Sequence, residues 1–233
     1  MQPRSGRSTK VPRDAVHHPV FARCYARLSV AAETRAGMAG VRRRLLGGLS
    51  GRVIEVGAGN GLNFAHYPGT VSEIVAIEPE RELRALAVEA ALRAQVPVDV
   101  APGAAEALPV KSEAFDAAVL SLVLCSVRDV PRALAELRRV LRPGGEVRFF
   151  EHGRGGGRVM RLTQRALDRT VWPPLAGGCH VARDPVGALR RAGFELGPYR
   201  RMLMPDKGPA LPTSYCVMGT AWRPTGDAVA DGS

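Results

Sequence analysis

Aromatic residues make up only 5% of this 233-residue chain, and no basic–aromatic interleaving marks a stacking platform for nucleic acid. Lysine is nearly missing: Lys10, Lys111 and Lys207 are the only three among 33 basic residues. Cysteine is scarce as well. Cys24, Cys125, Cys179 and Cys216 form no C-x-x-C pair, stand too far apart for a metal knuckle, and suggest no disulfide framework in a chain of this size. Long hydrophobic runs are absent too. The longest, Ala117 to Cys125, is nine residues and contains Ser121, against the ~18 of a membrane helix. The first thirty residues carry basic charge but no apolar h-region, so no secretory signal is expected. Together these absences predict a soluble, cytoplasmic protein with no metal site and no transmembrane segment.

What is present is the composition of a globular enzyme-sized chain, 45% hydrophobic and 24% charged, long enough for one large domain or a domain with a cap. The net charge of +11 is unevenly spread: +8 in residues 1–50, −2 in residues 51–150 and +5 in residues 151–233. Arginine is rich in recognition chemistry, yet a bias this heavy beside abundant Ala, Gly and Pro is also a compositional signature. Nucleic acid is not expected as a partner, peripheral membrane contact stays open, and the oligomeric state is not legible.

Along the chain, residues 1–13 read as a flexible basic tail and residues 14–50 as an N-terminal helical lid, with helices from Pro19 to Val30 and from Glu33 to Leu46. Residues 51–222 form the main domain, and 223–233 a second flexible tail. Within the domain, strands at Arg52–Val56, Glu73–Ile77, Val98–Val100, Phe115–Leu122 and Glu146–Glu151 alternate with helices at Glu80–Gln95 and Asp129–Leu141. Helical stretches at Val159–Val171 and Pro185–Ala192 follow, separated by a Trp-Pro-Pro break. Strands at Glu195–Leu203 and Ser214–Trp222 close the domain. Near-continuous apolar strands alternating with helices mean an α/β fold built on a mostly parallel, Rossmann-like sheet.

The strongest local signal is Val53-Ile54-Glu55-Val56-Gly57-Ala58-Gly59-Asn60-Gly61, read as a strand, a glycine-rich turn and then a helix whose N-terminus meets a ligand. A dinucleotide fingerprint would need glycine at position 62, which is Leu62. Glu55, two residues before the first glycine, suits a cationic amino-acid group better than a pyrophosphate. Glu78 closes the second strand, where a carboxylate can accept both hydroxyls of a ribose. An acid at that place fits NAD too, but the glycine spacing with Glu55 favours S-adenosylmethionine. Ala105 and Glu106, after the third strand, could flank an adenine ring, and Ser121-Leu122 lies near the end of the fourth strand beside the same ligand.

From about residue 45 to 222 the chain resembles class I S-adenosylmethionine-dependent methyltransferases. The segments EVGAGNGLNFAHYP (55–68), SLVLCSV (121–127), VLRPGG (140–145) and Glu151-His152 look like the methyltransferase-like 7 family of thiol S-methyltransferases. The later Gly178-Cys179…Arg183 stretch also fits that family. The resemblance implies a seven-stranded sheet whose last strand is antiparallel, with helices on both faces. It implies methyl transfer from S-adenosylmethionine, with Gly57, Gly59 and Gly61 at the cofactor's amino-acid end and Glu78 on its ribose. There are two departures: the animal members begin with a hydrophobic anchor not seen here, and their second-strand acid is usually aspartate rather than glutamate. Distant likeness to quinone and phospholipid methyltransferases leaves the acceptor open.

Methyl transfer from a sulfonium is an in-line displacement, so the enzyme chiefly aligns the reactants and expels water. A thiol acceptor needs little more than nearby positive charge, whereas an oxygen or carbon acceptor needs a general base. His152, oriented by Glu151, is the first acceptor-side candidate. Cys179-His180 and Arg183 come next because the resemblance puts their segment over the pocket, Arg183 as an anion-binding group or a charge at a helix start. Cys125 and Cys179 read as buried structural residues. Tyr25, in the lid with His17 and His18, is a candidate for the cofactor carboxylate. The expected enzyme methylates a small apolar or amphipathic acceptor, a thiol first and a quinone, phospholipid or natural product second. A non-catalytic basic nucleic-acid or membrane-surface binder is the alternative of a different class; the glycine turn and Glu78 oppose it.

Overall fold

A computed structural model describes residues 19–35, 37–206 and 209–226. The expected tail at 1–13, the histidines at 17 and 18, and residues 227–233 lie outside the described residues.

Two helices come first, α1 (Pro19–Arg35) and α2 (Met38–Leu46). α2 turns Val41, Leu45 and Leu46 inward at helical spacing. The sheet strands are β1 (Gly51–Val56), β2 (Val71–Ile77), β3 (Val98–Ala101), β4 (Phe115–Ser121) and β5 (Leu141–His152), then β6 (Glu195–Leu203) and β7 (Tyr215–Trp222). Between them lie α3 (Arg81–Ala91), α4 (Val130–Val140), α5 (Arg158–Arg169), α6 (Trp172–Leu175) and α7 (Pro185–Arg191). Glu80, Asp129 and Asp184 cap α3, α4 and α7 by accepting from the amides of Leu83, Arg132 and Gly187.

The strands form one seven-stranded sheet in the order β3-β2-β1-β4-β5-β7-β6. All neighbours from β3 to β5 pair in parallel, and β7 runs antiparallel between β5 and β6. This is the expected class I arrangement. Side chains alternate across the sheet into two cores. Ile54, Val56, Leu120 and Phe149 face one core, under α4 and α7, while Val53, Val119 and Phe150 face the other, with α2 and part of α3. Burial on both faces explains why β1 and β4 read as unbroken apolar runs.

Two local expectations are corrected. The chain after Gly61 forms no α-helix, only a 3₁₀ turn at Phe64–His66. Pro68 disfavours helical backbone at Tyr67 and so closes the space a longer helix would need. The Trp-Pro-Pro segment, expected as a break, starts the short α6, where both prolines occupy first-turn positions that need no amide hydrogen bond.

Candidate active site

Strand order reverses at β1, which has β2 on one side and β4 on the other. A crevice at the carboxyl ends of such strands is where doubly wound sheets hold ligands. The glycine turn lies there. Gly57, Gly59 and Gly61 all take positive φ, at 68°, 58° and 75°. A side chain at Gly57 would come within 2.8 Å of Val123, and one at Gly61 within 2.7 Å of the Phe64 ring. At Gly59 an added Cβ meets only the Tyr25 ring, at 3.6 Å. Tyr25 on α1 therefore covers the open side of the turn, and burial raises its pKa.

Glu78 stands at the end of β2, buried, with Oε2 accepting from the Gly59 amide at 2.7 Å and Oε1 from the Glu80 amide at 2.9 Å. Burial pushes its pKa up to about 7 against those two hydrogen bonds. Glu55 is buried behind the turn. Asn63 Nδ2 donates to it at 2.8 Å and Tyr67 Oη at 2.7 Å, and burial lifts its pKa to about 7 also. Asn63 Oδ1 in turn accepts from Arg42 of α2, whose Nε donates to Glu33 of α1. The chain Glu33–Arg42–Asn63–Glu55–Tyr67 thus ties both N-terminal helices to the glycine turn. A carboxylate has about four lone-pair sites, so Glu55 keeps capacity for an ammonium group.

On the far side, the loop after β3 turns back at Ala104–Ala107. Ala105 packs on the core, and Glu106 accepts from the backbone amides of Arg128 and Asp129. Ser121 pairs with Phe150 at the end of β4, and Leu122 adopts φ +60°, a left-handed conformation that side chains rarely take. The turn that follows is held by Glu151, whose carboxylate accepts the amides of Val123, Leu124 and Cys125. Glu151 is fully buried, which pushes its pKa up to about 7.

Glu151 therefore spends its hydrogen bonds on backbone rather than on orienting His152, which corrects that expectation. Instead, His152 Nδ1 lies 3.3 Å from Cys179 Sγ. Burial disfavours charge on the imidazole, but the Cys179 contact outweighs it and raises the His152 pKa. Cys125 Sγ donates to the Leu122 carbonyl at 3.3 Å. The neighbouring Cys125 and His152 hold the Cys179 thiol below its ordinary value, while Cys125 is driven well above its own. Arg183 clamps the same turn: its Nη1 donates to the carbonyls of Leu124 and Val127. This nitrogen of the guanidinium is thus committed to backbone.

The chain from residue 54 to 149 matches the family described as "Methyltransferase domain". It is 33% identical over 184 residues to human thiol S-methyltransferase TMT1B, across 76% of this chain and 73% of that protein. The chain belongs to that family of class I S-adenosylmethionine-dependent methyltransferases. It is also 29% identical over 154 residues to the ubiquinone/menaquinone biosynthesis C-methyltransferase UbiE of Syntrophotalea carbinolica, 64% of each chain. Among solved structures, a possible histamine N-methyltransferase of Thermotoga maritima superposes with TM-score 0.63 at 22% identity, over 88% of this chain and 98% of that one, a likeness of fold.

The methyltransferase's crevice fits S-adenosylmethionine by its donor set: the buried carboxyls of Glu78 and, behind it, Glu55 stand at a glycine turn where a side chain at Gly59 would meet only Tyr25. When bound, the cofactor supplies an activated methyl group on a sulfonium. Sequence reasoning named the glycines, Glu78 and Glu55, but missed Arg42, Asn63 and Tyr67 as the frame behind them. Asn63 and Tyr67 follow the turn closely in sequence, whereas Arg42 reaches it only through the fold. Cys125, His152 and Cys179 were each seen alone, and the structure brings them together. Among the described residues no helix is long and apolar enough to cross a membrane.

Proposed function

We propose that this methyltransferase transfers the methyl group to the sulfur of a small apolar or amphipathic thiol. The observation that carries the reading is its 33% identity to a thiol S-methyltransferase over three quarters of the chain. The site is compatible with it. No carboxylate is hydrogen-bonded to His152 among the described residues, so the acid–imidazole pair that a phenol or carbon acceptor would call for is not assembled. A thiol is already a few per cent thiolate at neutral pH and needs alignment more than deprotonation. In this reading Glu78 accepts the ribose hydroxyls, and Gly57, Gly59 and Gly61 give the amino-acid end close approach. Ala105, Glu106, Ser121 and Leu122 border the adenosine, and α1–α2 act as a lid whose Tyr25 shields the cofactor. His152 and the turn clamped by Arg183 line the acceptor side.

A second reading, methylation of a quinol carbon, is supported by the likeness to quinone C-methyltransferases. The test is to supply methyl-labelled S-adenosylmethionine with a panel of thiols, phenols, amines, quinols and lipids. Label in methyl thioethers supports the proposal. Label in the quinols or phenols with unmodified thiols overturns it.

A further inference from the structure

Three soft or borderline ligand groups converge beside the crevice: Cys125 in the turn after β4, His152 at the end of β5, and Cys179 in the loop after α6. One potential ligand atom from each lies within 4.8 Å of the other two. Their sequence separation hides the cluster. The parallel pairing of β4 with β5 and the fold-back of the 176–184 loop create it, the latter pinned by the His180 amide on the Cys125 carbonyl and by Asp168 on the amides of Val181 and Ala182. We propose that Cys125, Cys179 and His152 Nδ1 form a zinc site with one open coordination position, and that this position takes the acceptor thiol.

The geometry is close to what zinc requires. Around a tetrahedral ion with Zn–S of about 2.3 Å and Zn–N of about 2.0–2.1 Å, ligand atoms stand roughly 3.5–3.8 Å apart. The Cys179–His152 pair is already at 3.3 Å, and the remaining separations, all under 4.8 Å, close with side-chain rotations. Two thiolates and an imidazole suit zinc over hard cations. Both cysteines are buried, and the half-buried His152 is the member of the cluster nearest solvent. Three protein ligands with an open fourth position is the pattern of catalytic rather than structural zinc. The surroundings supply outer partners as well. Ser126 Oγ lies 3.5 Å from Cys125 Sγ. Trp172 packs on the cluster, its indole N–H buried with no hydrogen-bond partner among the described residues and available to a thiolate. The cluster adjoins the cofactor crevice through Leu122, just past the end of β4, which packs against it.

The chemistry balances. Two thiolates neutralise the charge of Zn²⁺, and a thiol entering the open position releases its proton to solvent and binds as thiolate. Its sulfur lone pair attacks the methyl carbon as the bond from that carbon to the sulfonium breaks, its electrons returning to the departing neutral thioether. The methylated product is an uncharged, weaker ligand and dissociates. The site itself stands on geometry, and its role in activating a thiol rests on the function proposed above.

The test uses the full chain, reduced and stripped of metal, titrated with Co²⁺ as a spectroscopic substitute for zinc and separately with Zn²⁺ under a competing chelator. The expected result is one metal per chain, with a thiolate-to-cobalt charge-transfer band and the strong visible bands of a tetrahedral ion. Cys125→Ser, Cys179→Ser and His152→Ala should each lower affinity at least tenfold, while Cys216→Ser leaves it unchanged. Circular dichroism identifies any variant that fails to fold, and Cys179→Ala and His152→Asn then provide the replacement measurements. Adding a thiol should shift the charge-transfer band, independently of turnover. Absence of stoichiometric binding, retention of the bands in folded Cys179 variants, or a Cys125–Cys179 disulfide as the stable state under mild reductant overturns the proposal. Metal binding without label on any thiol would instead sink the thiol reading and leave the site standing.

Discussion

Three buried glutamates do different work with the same chemistry. Glu78 presents its carboxyl to the crevice, Glu55 braces the glycine turn from behind, and Glu151 gathers three amides of the turn after β4. In the proposed function, where Glu78 holds the ribose, removing its carboxyl leaves ribose hydroxyls unpaired in a partly dry site, a cost of about 1–3 kcal/mol. Glu78→Ala should therefore weaken S-adenosylmethionine binding about tenfold or more by calorimetry, and unchanged affinity would refute the assignment. All three carboxyls titrate at about 7 in the folded chain against an ordinary 4.5, so the folded state holds extra protons between those values. Their contribution to stability is thus present at low pH and lost as pH rises through about 7. Cys179, with its lowered pKa, works in the opposite sense, so the contrast with a variant isolates the effect. Thermal unfolding of cofactor-free Glu151→Gln should fall less steeply than the parent as pH rises from about 5 to about 8. An identical slope would contradict the placement of that titration.

At the level of elements, the glycine turn is held by fit as much as by sequence. Gly61 has φ +75° and no space beside Phe64 and Ala90, whereas Gly156, in the loop before α5, has nothing within 4 Å. Gly61→Ala should accordingly lower the unfolding temperature clearly while Gly156→Ala changes it little; equal shifts would show that the turn tolerates a side chain. The lid elements hang on Arg42, which bridges Glu33 and Asn63. Arg42→Met keeps the stem but strands the buried Asn63 Oδ1 and takes the guanidinium from half-buried Glu33, a cost of about 1–3 kcal/mol. It should lower stability in denaturant titration and also weaken cofactor binding, because α1 carries Tyr25 over Gly59. A loss of stability with undiminished cofactor affinity would show that α1 is not part of the site.

The alternation of strands and helices was legible because the parallel strands, buried on both faces, carry unbroken apolar runs, and because Asp129 and Asp184 mark helix starts. The turn at 64–66 was not, since a strand and glycine turn of this kind lead into a helix in doubly wound sheets, and Asn63, Phe64, His66 and Tyr67 favour helix weakly before Pro68. Of the candidate site, local order makes the glycine turn and the acid at the end of β2 legible, and the structure places Glu78 against the Gly59 amide. The acceptor wall was not: His152 and Cys179 are 27 residues apart and meet only through tertiary folding.

At the level of the whole molecule, function follows from bringing the two ends of the site together. The first half of the sheet supplies the cofactor crevice at β1, β2 and β4. Segments after β5 return as α6 and its loop to place Cys179 against His152. In the proposed function, a methyl group held in the crevice faces a wall carrying sulfur and imidazole, His152 having no carboxylate hydrogen-bonded to it among the described residues. The most direct test is single-turnover methyl transfer to a matched pair of acceptors sharing one skeleton, an aromatic thiol and the corresponding phenol, with methyl-labelled S-adenosylmethionine already bound. The expected result is rapid label on the thiol sulfur and none, or far slower label, on the phenol oxygen. Equal or faster labelling of the phenol would contradict the account.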